Sequence, residues 1–419
     1  MDEGSDSSLQ ESQHIKASEA GWPDRLLDRM RGIGWPSWKI QVLLDAPGWQ
    51  TPSMLDDQVS GIERLVSGLH LREATWEDDE RLSDLFANST ERLGDWDVTV
   101  HRSPNPFAQQ RLQGRWFLKL LVEDHLAIAS SAYSGRSSIV AGQSLSVGWM
   151  GGWRVRNSHR KGGYAALLMN TPGSASNVFG MMSYWYVRME NATAVSWIDK
   201  RLDNMRGPDG RETKQLTASV MHIDTSSGAQ LNVAVRPITV EDLPRCVELI
   251  NRTHEGLDLF RPYSVEGLTD RLDDLFWGPK PPFVPEVYGW ADMFVLEEGG
   301  HIVACAGLWD RGRDVREHWH NRATGEDRVD ATACVMDFGF ASGRPDAMAE
   351  LLRHLTALAS ALGRKSLSAP LEFLPDVADA CDWADRRIET RRFESMMFGS
   401  PEIQITAAVT RPYTDLAYW

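Results

Sequence analysis

Residues Val155 to Leu168, VRNSHRKGGYAALL, combine side-chain types and spacing that suit the binding of an anion. Arg160 and Lys161 supply mobile positive charge, and Gly162 and Gly163 permit backbone dihedrals and a closeness of approach that side chains would forbid. Upstream, the apolar run Leu145 to Val155 reads as a strand; downstream, Tyr164 to Met169 reads as the start of a helix. A strand that turns through glycines into a helix leaves the first helical N–H groups unpaired and aimed at one point, with the positive end of the helix dipole behind them. Such a turn accepts pyrophosphate.

The order Val155, Asn157, His159-Arg160-Lys161-Gly162-Gly163-Tyr164-Ala165, Leu168 resembles the acetyl-CoA loop of the GCN5-related N-acetyltransferases. That family's signature, Q/R-x-x-G-x-G/A, is met by Arg160, Gly163 and Ala165, and proline usually stands where this chain has Asn157. A second match follows at a suitable distance. Met182 to Met189 reads as a strand, and Glu190-Asn191-Ala192-Thr193-Ala194 reads as the head of a helix. Val187, Glu190, Asn191 and Ala194 occupy the positions of the family's V-x-x-E-N-x-x-A. The resemblance implies acetyl-CoA, or another acyl-CoA, as co-substrate and no metal. It assigns Val155, Arg160, Lys161, Gly162, Gly163, Tyr164 and Ala165 to cofactor binding and places Asn191 on the pantetheine arm.

The elements that position this loop recur. Leu71-Arg72-Glu73-Ala74-Thr75 reads as a short strand, with Thr75 as N-cap and Asp78 as its partner ahead of a helix burying Leu82, Leu85 and Phe86. Arg72, Thr75, Glu77, Asp78 and Arg81 reappear at a constant offset of 164 as Arg236, Thr239, Glu241, Asp242 and Arg245. Five identities in register mark an internal repeat. The expected fold class is therefore α+β (α/β mixed), with two tandem acetyltransferase-like domains, each a mostly antiparallel central sheet flanked by helices. The expected boundaries are 1–20, an acidic, polar tail predicted to be disordered; 21–68, a tryptophan-rich helical extension; 69–228, the acyl-CoA-binding domain; and 229–419, a second, degenerate domain.

Within the first domain, Arg115 to Val122 and Leu126 to Tyr133 read as a hairpin turning at Glu123-Asp124-His125, and Leu216 to Ile223 alternates as a strand. In the second, Ala333 to Phe340 and Asp346 to Leu362 read as the equivalent strand and helix, joined by Arg344-Pro345-Asp346-Ala347. Proline removes a donor and aspartate adds negative charge, both of which oppose phosphate. This domain is expected to be structural or to shape the acceptor site.

The catalytic groups are harder to assign. Acyl transfer to an amine needs a neutral amine, a polarised carbonyl and a proton for the thiolate. The resemblance implies direct attack, with a main-chain N–H of the Ser146 to Trp153 strand on the carbonyl. That strand lacks the glutamate base many relatives carry, and the family's acidic tyrosine is replaced by Ile198. Tyr184 and Tyr186, sharing one strand face, and Glu190 are the catalytic candidates. Packing for the tyrosines and helix capping for Glu190 are their structural alternatives. Glu317-His318-Trp319-His320 reads as a surface loop rather than a metal site, and the four dispersed cysteines suggest buried thiols.

Composition bounds the rest. A formal charge of −15 argues against a nucleic-acid partner and is easier to reconcile with cationic or neutral acceptors. No apolar run is long enough for a membrane span and the N-terminus lacks a signal pattern, so a cytoplasmic monomer or homodimer is expected. The leading expectation is an N-acetyltransferase acting on a small-molecule amine. The alternatives are an inactive CoA-binding sensor or assembly protein and an enzyme of the same fold with other thioester chemistry, such as decarboxylation or O- or S-acyl transfer.

Overall fold

The computed structural model describes residues 69–113, 115–160, 162, 164–165, 168, 182–205, 213–226, 231–273, 286–370, 375–380, 386–397 and 416. The expected tail and N-terminal extension, and Lys161, Gly163 and Cys381, lie outside the described residues. The first half of the described chain supplies β1 (Leu69–Glu73), β2 (Glu91–Leu93), β3 (Trp96–Arg102), β4 (Arg115–Glu123), β5 (Leu126–Val140), β6 (Gln143–Val155), β7 (Met182–Arg188) and β8 (Thr213–Asp224). The second supplies β9 (Val235–Pro237), β10 (Met293–Glu298), β11 (His301–Trp309), β12 (Val315–Asn321), β13 (Asp327–Asp330), β14 (Thr332–Phe340), β15 (Ser366–Ala369) and β16 (Arg386–Met397). The longer helices used below are α1 (Asp79–Ala87), α2 (Ala192–Met205), α3 (Leu243–Thr253), α4 (Val265–Leu272) and α5 (Pro345–Ala361).

Twelve strands form one sheet in the order β1-β4-β5-β6-β7-β16-β8-β15-β14-β11-β10-β9. The order is symmetric about its centre: β1 answers β9, β4 answers β10, β5 answers β11, β6 answers β14 and β7 answers β15. The β6–β7 and β14–β15 pairs are parallel, and the other neighbours are antiparallel. At the centre the halves exchange their last strands. β16 pairs with β7 from Arg391–Arg188 to Met397–Met182, and β8 pairs with β15. The two halves thus share a continuous sheet rather than holding one each.

A second sheet, β13-β12-β3-β2, joins the halves again through β3 and β12, paired from Val315–Arg102 to Asn321–Trp96. Glu317 to His320 therefore lies on a strand, not in the surface loop expected from its polarity. Glu317 is 7% exposed, whereas the flanking residues alternate outward. The tip of the β5–β6 hairpin also docks across: Ile139 N–H donates to Phe260 O at 2.9 Å, and Leu259 N–H to Ile139 O at 2.6 Å. Leu82, Leu85 and Phe86 of α1 share one apolar core with Leu249, Phe260 and Trp309.

The sequence repeat has a physical basis. Asp78 is 1% exposed and accepts from both terminal nitrogens of Arg72 at 2.6 Å, from Arg81 at 2.9 Å and from the Thr75 N–H at 2.9 Å. In the second half Asp242 accepts from Arg236 at 2.5 and 3.0 Å and from the Thr239 N–H at 2.8 Å. Each motif ties the end of an edge strand to the first turn of a helix. Arg245 departs from the pattern and binds Glu248 instead.

The hydrogen-bonded Arg72, with the Thr75 N–H and Arg81, holds the Asp78 carboxyl well below the ordinary carboxylate range despite burial. A depressed folded pKa contributes stability that is complete above the unfolded value near 4 and is lost as pH falls through the folded value. Asp78→Ala should therefore lower the unfolding free energy by about 3 kcal/mol at pH 7, with Asp242→Ala costing less. Urea denaturation should also show the gap between Asp78→Ala and the parent narrowing at pH 3.

Candidate functional site

β6 and β7 run in parallel register only from Val147–Met182 to Trp149–Tyr184. Beyond that point β6 carries a bulge. Its pairing with β5 steps from Ala132–Gly151 to Ser130–Arg154, so Gly152 and Trp153 oppose the single residue Ser131. Gly152 takes φ +59°, and a Cβ there would lie 3.1 Å from the Ala132 methyl. Gly151 leaves room for the Trp149 ring, which a Cβ would meet at 2.1 Å. Two successive glycines at the bulge thus open the sheet at one place, since a bulge bends its strand and frees main-chain groups.

The opening leads directly to the anion-binding sequence. Val155 ends β6, and residues Asn157–His159 form a single 3-10 turn. Asn157, standing at the resembled family's proline position, anchors this turn: its N–H reaches Asn88 O at 2.9 Å and its side chain bonds the Thr90 N–H and hydroxyl at 3.0 and 2.9 Å. The Arg160 guanidinium reaches Thr90 O, and His159 lies 3.0 Å from Glu123. Tyr164, Ala165 and Leu168 are helical, with Leu168 fully buried. A Cβ on Gly162 would stand 2.3 Å from the Tyr164 ring, so any side chain there would have to displace that ring. Lys161 and Gly163 fall outside the described residues.

Asn191 caps α2, its side-chain oxygen accepting the Ala194 N–H at 3.0 Å. It faces a cleft between β6 and β7 that opens to solvent. Trp149, Gly151, Gly152, Trp153, Tyr186, Ala194 and Ile198 also line it. Of the three catalytic candidates, Tyr186 is on this wall. Tyr184 is buried against it, edge-on to Tyr186 at 6.0 Å, with its hydroxyl 3.5 Å from Arg136. Glu190 is exposed in the turn between β7 and α2 and is not among the lining residues.

Residues not singled out by the sequence dominate the other end of the cleft. Arg102 and Glu91 come from the second sheet, Arg154 from β6, Arg188 from β7, Arg311 and Glu317 from the second half, and Arg391 from the exchanged β16. Arg188 donates to Glu317 at 2.7 Å, Arg311 approaches the same carboxylate at 3.3 Å, and Arg154 binds Glu91. Burial alone would raise the Glu91 carboxyl, yet Arg154, Arg188 and Arg391 hold it below the ordinary range. Arg102 is held by uncharged Gln109 and Gln110 at 2.7 and 3.1 Å and lies 4.2 Å from the Phe86 ring. Burial, with Arg154 and Arg311 nearby, pushes Arg102 down to about 9, so it stays charged at neutral pH.

The second half keeps the bulge and fills it. β11–β14 pairing steps from Gly307–Met336 to Cys305–Gly339, and Asp337, with φ +44°, stands where the first half has Gly152. Its carboxylate accepts from Tyr263 at 2.6 Å and from Arg271 of α4 at 2.7 Å. At the following turn Arg344 binds Glu298 and Asp346 at 2.9 and 2.8 Å, and Pro345 begins α5. Carboxylates thus occupy the place where a phosphate would need donors. Among the described residues no group of three or more His, Cys, Asp or Glu side chains could hold a metal, and no helix is long and apolar enough to cross a membrane.

No family model matches the chain, and no curated protein matches it. Among solved structures it is similar to Saccharomyces cerevisiae N-myristoyltransferase with bound myristoyl-CoA, at 11% identity over 83% of this chain and 90% of that one, with a TM-score of 0.49. It is also similar to a GCN5-related glucosamine N-acetyltransferase region of a fungal multi-domain β-N-acetylglucosaminidase, at 10% identity over 78% of this chain and 38% of that one, with a TM-score of 0.48. A GCN5-related N-acetyltransferase from Sphaerobacter thermophilus aligns at 13% identity over 84% of this chain and 98% of that one, with a TM-score of 0.44.

Proposed function

We propose that the chain is an acyl-CoA-dependent N-acyltransferase, with acetyl transfer to the amine of a small molecule as its leading activity. The observation that carries this is the parting of β6 and β7 at the Gly152 bulge, immediately before the glycine-rich turn at Arg160–Ala165. Val155, Arg160, Lys161, Gly162, Gly163, Tyr164 and Ala165 would hold the pyrophosphate and Asn191 the pantetheine arm. Bound acyl-CoA supplies the electrophilic thioester carbon and a thiolate leaving group.

The chain's own groups then have separate tasks. The bulged main chain at Gly151–Gly152 offers N–H groups for the carbonyl oxygen, preorganised because the strand geometry fixes them. Tyr186, on the cleft wall, is the proton donor favoured for the departing sulfur. A carboxylate base is not required. Arginines outnumber carboxylates among the described lining residues, which disfavours an ammonium ion there and so favours the neutral, nucleophilic amine. Glu91, held ionised by its arginine neighbours, is a poor proton acceptor.

The test is release of CoA thiol from acetyl-CoA and longer acyl-CoAs across an amine panel, with products identified by mass spectrometry. Arg160→Ala should raise KM for the acyl-CoA about tenfold, the loss of one charge-assisted bond, with kcat within about threefold of the parent. Tyr186→Phe should lower kcat about a hundredfold and leave that KM unchanged. Tight CoA binding with no turnover of any acyl-CoA would instead favour the inactive sensor, for which the substitution of Ile198 at the expected tyrosine position speaks. An O-acylated, S-acylated or decarboxylated product would point to the other thioester chemistries.

A further inference from the structure

The gap between β6 and β7 is short. One end adjoins the turn that follows Val155, and the other is closed by the parallel pairing that runs from Val147–Met182 to Trp149–Tyr184. Gly151, at the bulge, stands two residues from the last closed pair, roughly 7 Å of strand. The Trp149 ring does not point away from this interval. It lies along its own strand over Gly151, where a Cβ would meet the ring carbons at 2.1 and 2.3 Å. Trp149 is 5% exposed and lines the cleft together with Met150, Trp153 and Tyr186.

The surroundings of the closed pair are packed. Trp149 stands between Ser134 of β5 and the fully buried Tyr184 of β7, within the large apolar core. Successive residues of a strand face opposite sides. Met150 accordingly packs on the other face, with Tyr133 and Trp185. An acyl-CoA with its pyrophosphate at the Arg160–Ala165 turn and its carbonyl at Gly151–Gly152, as proposed above, directs its acyl group at the closed pair, between the Trp149 ring and Met150. We infer that Trp149 sets the length of the acyl group, admitting the acetyl and propionyl class and excluding hexanoyl and longer chains. The inference rests on the acyltransferase reading for the direction in which the acyl-CoA lies.

The experiment uses the full chain, one amine acceptor that it turns over, and acetyl-, propionyl-, butyryl-, hexanoyl- and octanoyl-CoA as donors, compared by kcat/KM for thiol release. In the parent, kcat/KM should fall at least about tenfold between propionyl- and hexanoyl-CoA, the order by which an apolar pocket discriminates excess methylenes. Trp149→Leu, which keeps an apolar side chain at the buried position, should raise the hexanoyl-to-acetyl ratio at least about tenfold, with affinity for CoA itself within about twofold of the parent. Trp149→Phe is the smaller change and should extend use to butyryl-CoA alone; it serves if Trp149→Leu does not fold. The same donors are titrated as ligands without acceptor, because their affinities read the pocket without turnover.

Equal kcat/KM for acetyl- and octanoyl-CoA in the parent would overturn the inference, as would a donor profile that neither variant changes while CoA binding is kept. Wider use of bulky amines by Trp149→Leu with an unchanged donor profile would also overturn it, assigning the ring to the acceptor side. Affinity that falls with acyl length and recovers in Trp149→Leu, in a chain that transfers no acyl group, would leave the length limit standing and remove the acyltransferase reading. Transfer with a flat donor profile would do the reverse.

Discussion

The exchange of final strands constrains everything else in this molecule. β7 needs a neighbour on its far side, and the one it has is β16, drawn from the other half, while β8 completes the second half's sheet beside β15. A parallel pair that parts at Trp149–Tyr184 exposes main-chain groups, which only a firm sheet on either side can tolerate. β5 holds β6 through the bulge, and β16 holds β7 over seven paired residues. The same exchange sets who faces the opening. It carries Arg391 to Arg188, and the β3–β12 pairing carries Glu317 to the same place.

Duplication has left two bulges with different fates. Gly152 sits in the first, with no side chain to occupy the gap. In the second, Asp337 reaches across to Tyr263 and Arg271 and converts the gap into a buried ion pair. The residue opposite a bulge decides whether the bend serves as an opening or as an internal tie. At the neighbouring turn Arg344, chelated by Glu298 and Asp346, repeats the substitution of internal charge for an external ligand.

The features legible in the sequence were those set by neighbours in the chain. The Arg72–Thr75–Asp78 motif and its copy at Arg236–Thr239–Asp242 were readable because a strand end and a helix cap lie within seven residues. The hairpin turn after Glu123 and the strand ending at Val155 were readable for the same reason, whereas α2 is capped by Asn191 and not by Glu190, for which capping was the expected alternative. The register of the bulge was not, because it depends on how Ser130 and Ala132 meet Arg154 and Gly151 on the next strand. Nor was the arginine cluster, whose members stretch from Arg102 to Arg391 with no shared spacing. Glu317 misled for a further reason: polar residues on both sides of it suggest a loop, whereas they are the outward face of a strand whose inward face is ionic.

The exchanged strand also has a meaning for synthesis. Arg188 meets its partner Arg391 only after about 200 further residues have been added, so one edge of the first half stands open while the second is made. At ordinary elongation rates that interval is on the order of 10 to 40 s, long compared with the formation of a hairpin. An uncovered strand edge is a template for pairing with any other chain. The nascent first half is therefore the stage at which this protein is most exposed to misassociation, and a truncated product ending before β16 would carry that exposed edge permanently.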